Sequence, residues 1–181
     1  MRLIHYSANP LGDLKVINQI APAHYFDKPK GLWVSVEGEG DWKSWCEAES
    51  FGTTRMQFEN VIELDPDAAI IRVCGAYQLI EFTKEYGIVS EMAKIEPIFA
   101  RSLAIDWPRV ASQHQGVIIA PYQWSLRLDT FTSWYYGWDC ASGCIWDVSA
   151  IRSISSTRLE GTEDADSERK QEEVSEGLAR D

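Results

Sequence analysis

The chain has 181 residues, of which 45% are hydrophobic, and it carries a formal net charge of −11. This length fits one domain that can bury a real hydrophobic core. So acidic a surface repels a phosphate backbone, which argues against simple electrostatic binding of nucleic acid. The eight tryptophans and seven tyrosines are predicted to lie mostly in the core, with any excess available to line a pocket for a flat ligand.

Residues 1–5 contain no apolar signal-peptide segment, and no apolar run is long enough to span a bilayer. We therefore expect a cytoplasmic protein that has no membrane partner and whose cysteines are reduced. Cys140 and Cys144 have a spacing that zinc ligands use, but a second Cys/His pair at matching spacing is missing. The interpretation preferred here is small buried thiols and no metal.

The first third of the chain predicts two strands and two helices. Strands are expected over 2–7 and 31–36, separated by a loop that contains two prolines. Apolar residues at positions 11, 14, 17 and 20 have helical spacing and predict a short helix between these strands. Asp41 is the expected N-cap of a helix that runs from residue 42 to about residue 51.

Further strands are predicted over 57–64 and 69–73, followed by an amphipathic helix over 77–86 that ends at Gly87. A helix around 91–103 and a short helix that starts at Asp106 come next. The continuous apolar run over 116–120 is typical of a central strand, and a closing strand is expected over 144–148. The fold class is therefore α+β.

The composition changes near the carboxyl end of the chain. Residues 158–181 contain nine acidic and four basic side chains, and their only large aliphatic residues are Leu159, Val174 and Leu178. Such a segment cannot bury enough apolar surface to offset the entropy of ordering it. The predicted organisation is one domain over 1–157 and a disordered acidic tail over 158–181.

Three polar residues stand out as candidate site residues. His5 lies in the first predicted strand, Ser35 ends the second, and Asp139 comes just before the closing strand. Each has an ordinary structural interpretation: a hydrogen-bonded core histidine, a strand-end hydroxyl and a turn-forming aspartate. The three are far apart in sequence, so local structure gives no reason for them to meet.

Along the chain, a His strand is followed by GLWVS, a Trp-rich helix, FENVIELDPDAAIIRV, a helix, QGVIIAP and a closing CIWDVSAI strand. This order resembles that of the ADP-ribosyltransferase superfamily, which includes bacterial toxins and poly-ADP-ribose polymerases. The resemblance covers residues 2–154 and depends on order and spacing. It implies a two-sheet core whose sheets face each other across a cleft, peripheral helices, and NAD as the substrate that donates ADP-ribose.

The resemblance also implies roles for individual residues. His5 matches the position that holds a ribose hydroxyl of NAD. Tyr6 matches the position whose backbone pairs with the nicotinamide amide, where many relatives have glycine. The expected pocket wall comprises the residues that surround these positions on the two strands and before the last one: Ser7, Gly31, Trp33, Ser35 and Trp138.

The family's catalytic glutamate has no counterpart, because Ser142-Gly143-Cys144 stands at the start of the closing strand. Asp139 is the nearest carboxylate and is the predicted substitute. Breaking the nicotinamide–ribose bond builds positive charge on the ribose, which a fixed carboxylate stabilises. The predicted catalytic residues are therefore His5, Ser35 and Asp139, converging on one cleft with Tyr6, Trp33 and Trp138.

Two functions follow from these observations. The first is transfer of ADP-ribose to an unidentified acceptor, a protein or small molecule rather than nucleic acid, as in a phage or toxin-type effector. The second is a catalytically silent, acidic protein-binding or inhibitor module. The missing glutamate, the acidic surface and the aromatic-rich segment 122–138 favour the second.

Overall fold

The computed structural model describes residues 1–38, 40–89, 91–95 and 102–159, without the side chains of residues 92 and 93. Within these ranges the protein has a mixed α/β fold, with a seven-stranded sheet, a two-stranded sheet and short helices. The expected mixture of helices and strands is confirmed.

The strands are β1 (Leu3–Ser7), β2 (Leu32–Val36), β3 (Phe58–Leu64), β4 (Ile70–Val73), β5 (Gly87–Val89), β6 (Leu103–Ile105), β7 (Gly116–Ile119), β8 (Ser142–Ile145) and β9 (Ile151–Arg158). The helices are α1 (Trp42–Ala48), α2 (Ala76–Tyr86), α3 (Glu91–Ile95) and α4 (Trp107–Ala111). The large sheet has the order β4-β7-β8-β2-β1-β3-β9, and β5 pairs with β6 in the small one. Only the β4/β7 pair of the large sheet is parallel.

All six predicted strands are present, although their bounds shift by one to three residues. They all pair within the large sheet, and the second sheet consists of β5 and β6 alone. The described strands form two sheets of unequal size, and the two-sheet core with facing sheets that the resemblance implies stays a prediction.

Strand β7 was expected to be central, and it lies between β4 and β8 with all four residues buried. Val117 and Ile119 pack into one core cluster, together with residues of α2 and α4. Ile118 points to the opposite face and packs into a second cluster with Leu3 and Val34. Because both faces of the strand are covered, every position is apolar and the usual alternation is absent.

The first core cluster is rich in aromatic side chains, but only four of the eight tryptophans and two of the seven tyrosines are buried, fewer than expected. Trp107, Trp134, Trp138 and Trp146 are all buried. The indole N–H of Trp134 donates to the Thr83 hydroxyl over 2.9 Å, so this buried donor is satisfied. The cluster forms one wall behind the part of the sheet where β2 and β8 meet.

One predicted helix cap and one predicted helix start are confirmed. The Asp41 carboxylate accepts from the backbone N–H of Ser44 over 2.9 Å at the start of α1. The Asp106 carboxylate accepts from the N–H of Arg109 over 3.1 Å at the start of α4. In both cases a side-chain oxygen satisfies a backbone donor that has no partner within the helix.

The helix predicted from positions 11, 14, 17 and 20 is wrong, because residues 8–22 contain no helix or strand. The backbone N–H of Ile17 donates to the Trp146 carbonyl over 2.8 Å instead of to a helical partner. The Gln19 side chain binds both backbone groups of Lys30. Contacts to distant segments thus replace the local hydrogen bonds that a helix would have made.

Two further elements in the second half of the chain differ from their predicted bounds. The helix expected over 91–103 cannot extend to its end, since Leu103 begins β6 and pairs with Val89; residues 96–101 lie outside the described residues. The closing strand predicted over 144–148 is β8, and it begins and ends earlier. Strand β9 was missed, although it pairs with β3 along its whole length.

The predicted tail lies almost wholly outside the described residues and stays a prediction.

Candidate functional site

A cleft opens in the large sheet where β1 and β2 separate. The two strands pair at only two positions, Leu3 with Val36 and Ile4 with Ser35. Strand β1 nevertheless continues to Ser7 along β3, and β2 continues to Leu32 along β8. The carboxyl half of β1 and the amino half of β2 therefore have free edges that face each other.

His5 bridges this gap with its side chain. Its Nδ1 lies 2.7 Å from the backbone carbonyl oxygen of Trp33. A carbonyl oxygen only accepts hydrogen bonds, so Nδ1 carries the proton and donates it. In the neutral ring Nε2 is then an acceptor, available to a hydroxyl group of a ligand. The bond also fixes the orientation of the imidazole.

A cavity of about 330 Å³ lies at this cleft, within the size range of small-molecule sites. The described residues that line it include six of the predicted site residues: His5, Tyr6, Trp33, Ser35, Trp138 and Asp139. His5, Tyr6 and Trp33 come from the separating ends of β1 and β2, Ser35 comes from the last position at which these strands pair, and the last two come from the loop before β8. Residues from distant parts of the sequence thus meet at one place.

Ser35 has a structural bond that the sequence did not reveal. Its buried hydroxyl oxygen accepts from the backbone N–H of Trp42, the first residue of α1, over 2.9 Å. Together with Asp41 it therefore holds the amino end of that helix. The hydroxyl still has a proton to donate, so a ligand can engage it without breaking this bond.

Ser142 is the first of the three residues that stand where the resemblance leads one to expect a glutamate. It lies opposite Ser35 in the β2/β8 ladder and lines the same cavity. Its hydroxyl donates to the Cys140 carbonyl over 3.0 Å. A serine here supplies no negative charge, so any carboxylate in this cavity must come from elsewhere.

Asp139 is that carboxylate, and it is paired. Its Oδ1 lies 3.1 Å from a guanidinium nitrogen of Arg127, and both side chains are largely covered, at 24% and 29% exposure. The pair fixes Asp139 and offsets part of its charge. Arg127 also lies over the ring of Tyr136, 5.4 Å from its centroid.

The aromatic wall of the cavity consists of Trp33 and Trp138. Their rings meet edge to face with centroids 4.8 Å apart, an arrangement that favours both. The buried indole nitrogen of Trp138 has no hydrogen-bond partner among the described residues. Burial is the main cause that raises the pKa of the nearby Tyr6 to about 12, so its phenol is neutral at physiological pH.

Two predicted residues do not line the cavity. The Ser7 hydroxyl donates to the Asn9 carbonyl over 2.5 Å and accepts from Asn60, so it holds the end of β1. At Gly31 a Cβ atom would lie 2.4 Å from the carbonyl oxygen of Ile145. The glycine therefore allows the chain to approach β8 closely, which is a packing role.

Six lining residues were not among the predicted site residues: Ile4, Lys28, Val34, Trp42, Cys140 and Ser142. Lys28 lies in a loop with no motif, and its place in the cavity depends entirely on how that loop folds back. Cys140 was singled out only as a thiol. Burial raises its pKa to about 12, so it is a poor nucleophile at neutral pH.

No cluster of three or more His, Cys, Asp or Glu side chains within the described ranges could hold a metal ion. Among these same residues, no helix has the length and apolarity needed to cross a bilayer. No protein-family model, curated protein or solved structure matches this chain.

Proposed function

We propose that this protein binds NAD in the β1/β2 cleft and transfers ADP-ribose from it, with a core related to that of the ADP-ribosyltransferases. The observation that carries the proposal is the convergence of His5, Ser35 and Asp139 on one cavity. The resemblance in sequence order placed a ribose ligand, a pocket hydroxyl and a carboxylate at these positions. Local structure gives no reason for them to meet.

In this proposal His5 binds a ribose hydroxyl. The Trp33 carbonyl accepts from Nδ1–H, so Nε2 of the neutral ring can accept a hydrogen bond from that hydroxyl. Because the ring is already oriented, little side-chain entropy is lost when the ligand binds. His5 is thus a preorganised hydrogen-bond acceptor in the cleft.

The nicotinamide ring binds between the strand edges and the aromatic wall. No strand pairs with Tyr6 on the side of β2, which leaves a backbone edge to pair with the carboxamide. Trp33 and Trp138 supply flat apolar surface, and an electron-rich indole face attracts a cationic pyridinium ring. The Ser35 hydroxyl donates its remaining proton to the ligand.

Asp139 stabilises the positive charge that develops on the ribose when the nicotinamide leaves. A fixed carboxylate in a cavity of low polarity acts strongly on such charge. Its ion pair with Arg127 keeps it oriented but weakens its field, which predicts slower turnover than a free glutamate would support. The acceptor of ADP-ribose is a protein or a small molecule.

The test combines binding and turnover. Calorimetry measures NAD affinity, and release of nicotinamide measures cleavage, for the wild type and for Asp139→Asn. The asparagine keeps an oxygen that accepts from Arg127 but removes the charge, so affinity changes by less than about twofold while turnover falls about 100-fold. Asp13→Asn removes the same charge at an exposed position and leaves both unchanged.

Two results would count against the proposal. Full turnover of Asp139→Asn would show that Asp139 is not the carboxylate that acts on the ribose. A wild-type protein that neither binds nor cleaves NAD would overturn the proposal as a whole.

A second candidate function, a catalytically silent binding module, is favoured by one observation. In the segment 122–138, Trp124, Leu128 and Tyr136 are 67%, 82% and 52% exposed, as in the apolar centre of an interface. A partner that the wild type binds should then be lost with Leu128→Ser and retained by His5→Ala. The reverse pattern would place binding in the cleft.

A further inference from the structure

Lys28 is a cation that enters the cavity without an anionic partner. Its ammonium lies 5.0 Å from the centroid of the Trp33 ring, and the side chain lines the same cavity as His5 and Asp139. No hydrogen bond or ion pair joins it to another residue in the described part of the chain. Among the described lining residues it is the one lysine or arginine.

The surroundings of this ammonium are unfavourable to its charge. Burial is the largest influence on Lys28 and lowers its pKa, and the charge of Asp139 opposes that shift only in part. Lys28 is an exposed residue, so its charge is only partly removed from water and the cost in free energy is correspondingly small. An anionic group that enters the cavity and pairs with Lys28 would recover part of this cost.

The backbone leaves room for this side chain to reach the cavity. At Gly137 a Cβ atom would lie 2.9 Å from Cε of Lys28 and 3.9 Å from its Nζ. Any residue larger than glycine would push the end of the lysine away. The loop before β8 therefore accommodates Lys28 beside Trp33, next to the cleft in which the proposed function places NAD.

We propose that Lys28 binds a phosphate group of the ligand and makes the cavity select nucleotides over the corresponding nucleosides. This inference rests on the proposed function for its choice of NAD-related ligands. The same contacts would nevertheless bind any ligand that has a flat ring and an adjacent phosphate. The ring packs against the tryptophan wall while the ammonium pairs with the phosphate oxygens.

The experiment compares matched ligands that differ by phosphate. Calorimetry measures the affinity of the full chain for nicotinamide mononucleotide against nicotinamide riboside, and for ADP against adenosine. The wild type prefers the phosphorylated member of a pair by about tenfold or more. Lys28→Gln reduces that preference to within about twofold and leaves the weaker, unphosphorylated ligands unaffected.

Two control variants distinguish the effect of the ammonium's position from the effect of positive charge in general. Lys30→Gln removes the same charge from an exposed lysine two residues away that, unlike the equally exposed Lys28, does not line this cavity, and it keeps the preference. Gly137→Ala keeps the charge but displaces the end of Lys28, and it loses most of the preference. Circular dichroism and melting curves establish that each variant is folded.

The outcomes distinguish this inference from the proposed function. Binding of NAD with equal affinity in the wild type and Lys28→Gln would overturn the role of Lys28 while the proposed function stands. Preference for ADP over adenosine without any affinity for NAD would support Lys28 and refute the proposed function. Absence of phosphate preference in both ligand pairs would overturn the inference.

Discussion

Two substitutions at His5 separate its structural bond from its proposed ligand contact. Asparagine places an amide nitrogen where Nδ1 lies, so His5→Asn can still donate to the Trp33 carbonyl but offers no acceptor at the position of Nε2. Glutamine places an amide oxygen near the position of Nε2 but has no donor at the position of Nδ1. Each variant therefore keeps one half of the imidazole's hydrogen bonding.

The expected change in stability follows from the hydrogen bond between His5 and the Trp33 carbonyl. The Nδ1–H···O bond is 2.7 Å long, and both residues are partly buried, so its loss costs about 1 kcal/mol. In a protein of this size that corresponds to a decrease of about 2–4 °C in melting temperature. His5→Gln should show this decrease, whereas His5→Asn should melt within about 1 °C of the wild type.

The ligand affinities should change in the opposite order. Loss of the Nε2 acceptor removes one hydrogen bond worth about 1 kcal/mol, so His5→Asn should weaken NAD binding about fivefold. His5→Gln should bind within about twofold of the wild type. Thermal melting, urea denaturation followed by tryptophan fluorescence, and calorimetry with NAD supply the measurements. If His5→Asn is the less stable variant, the proposed protonation of Nδ1 is wrong.

Three further predictions concern stability and reactivity. Ser35→Ala removes the buried acceptor of the first backbone N–H of α1 and should cost about 1 kcal/mol in urea denaturation, whereas the exposed Ser44→Ala should cost less than about 0.5 kcal/mol. In the native protein iodoacetamide should modify Cys74, the exposed thiol, and leave the three buried thiols unmodified until urea is added. Burial raises the pKa values of Cys140 and Tyr6 to about 12, while in the unfolded chain these groups ionise at their ordinary, lower pKa values. The stability they contribute is therefore complete below about pH 9 and is lost as pH rises towards 12. Equal urea midpoints at pH 7 and pH 10.5 would contradict this, and Cys140→Ala should reduce the loss.

The sequence by itself determined the elements whose residue types directly reflect burial or local hydrogen bonding. Positions 117–119 are apolar without a break because both faces of β7 are buried, and the run identified an interior strand. Asp41 and Asp106 are short acceptors placed directly before helices, so local chemistry was sufficient to find both helix starts. The order of His5, Ser35 and Asp139 along the chain, through its resemblance to a known family, predicted that the three would meet, and they line one cavity.

Other elements depended on partners that the local sequence does not show. Leu103 lies in a strand because it pairs with β5. The polar residues of β9 form a strand because β3 offers a free edge. The segment 11–20 has helical spacing, yet its backbone and side chains bind Trp146 and Lys30. Long-range hydrogen bonds outweighed weak local preferences in each case.

The functional details were decided in the same way. The cleft exists because the β1/β2 ladder ends after Ile4, and no sequence signal in either strand predicts that end. Ser35 binds α1 and Asp139 binds Arg127, which only the folded chain brings together. Lys28 has no motif around it and enters the cavity because Gly137 leaves space for it. The sequence specified which chemical groups were available, whereas the tertiary structure decided which of them face one another, because those contacts join residues distant along the chain.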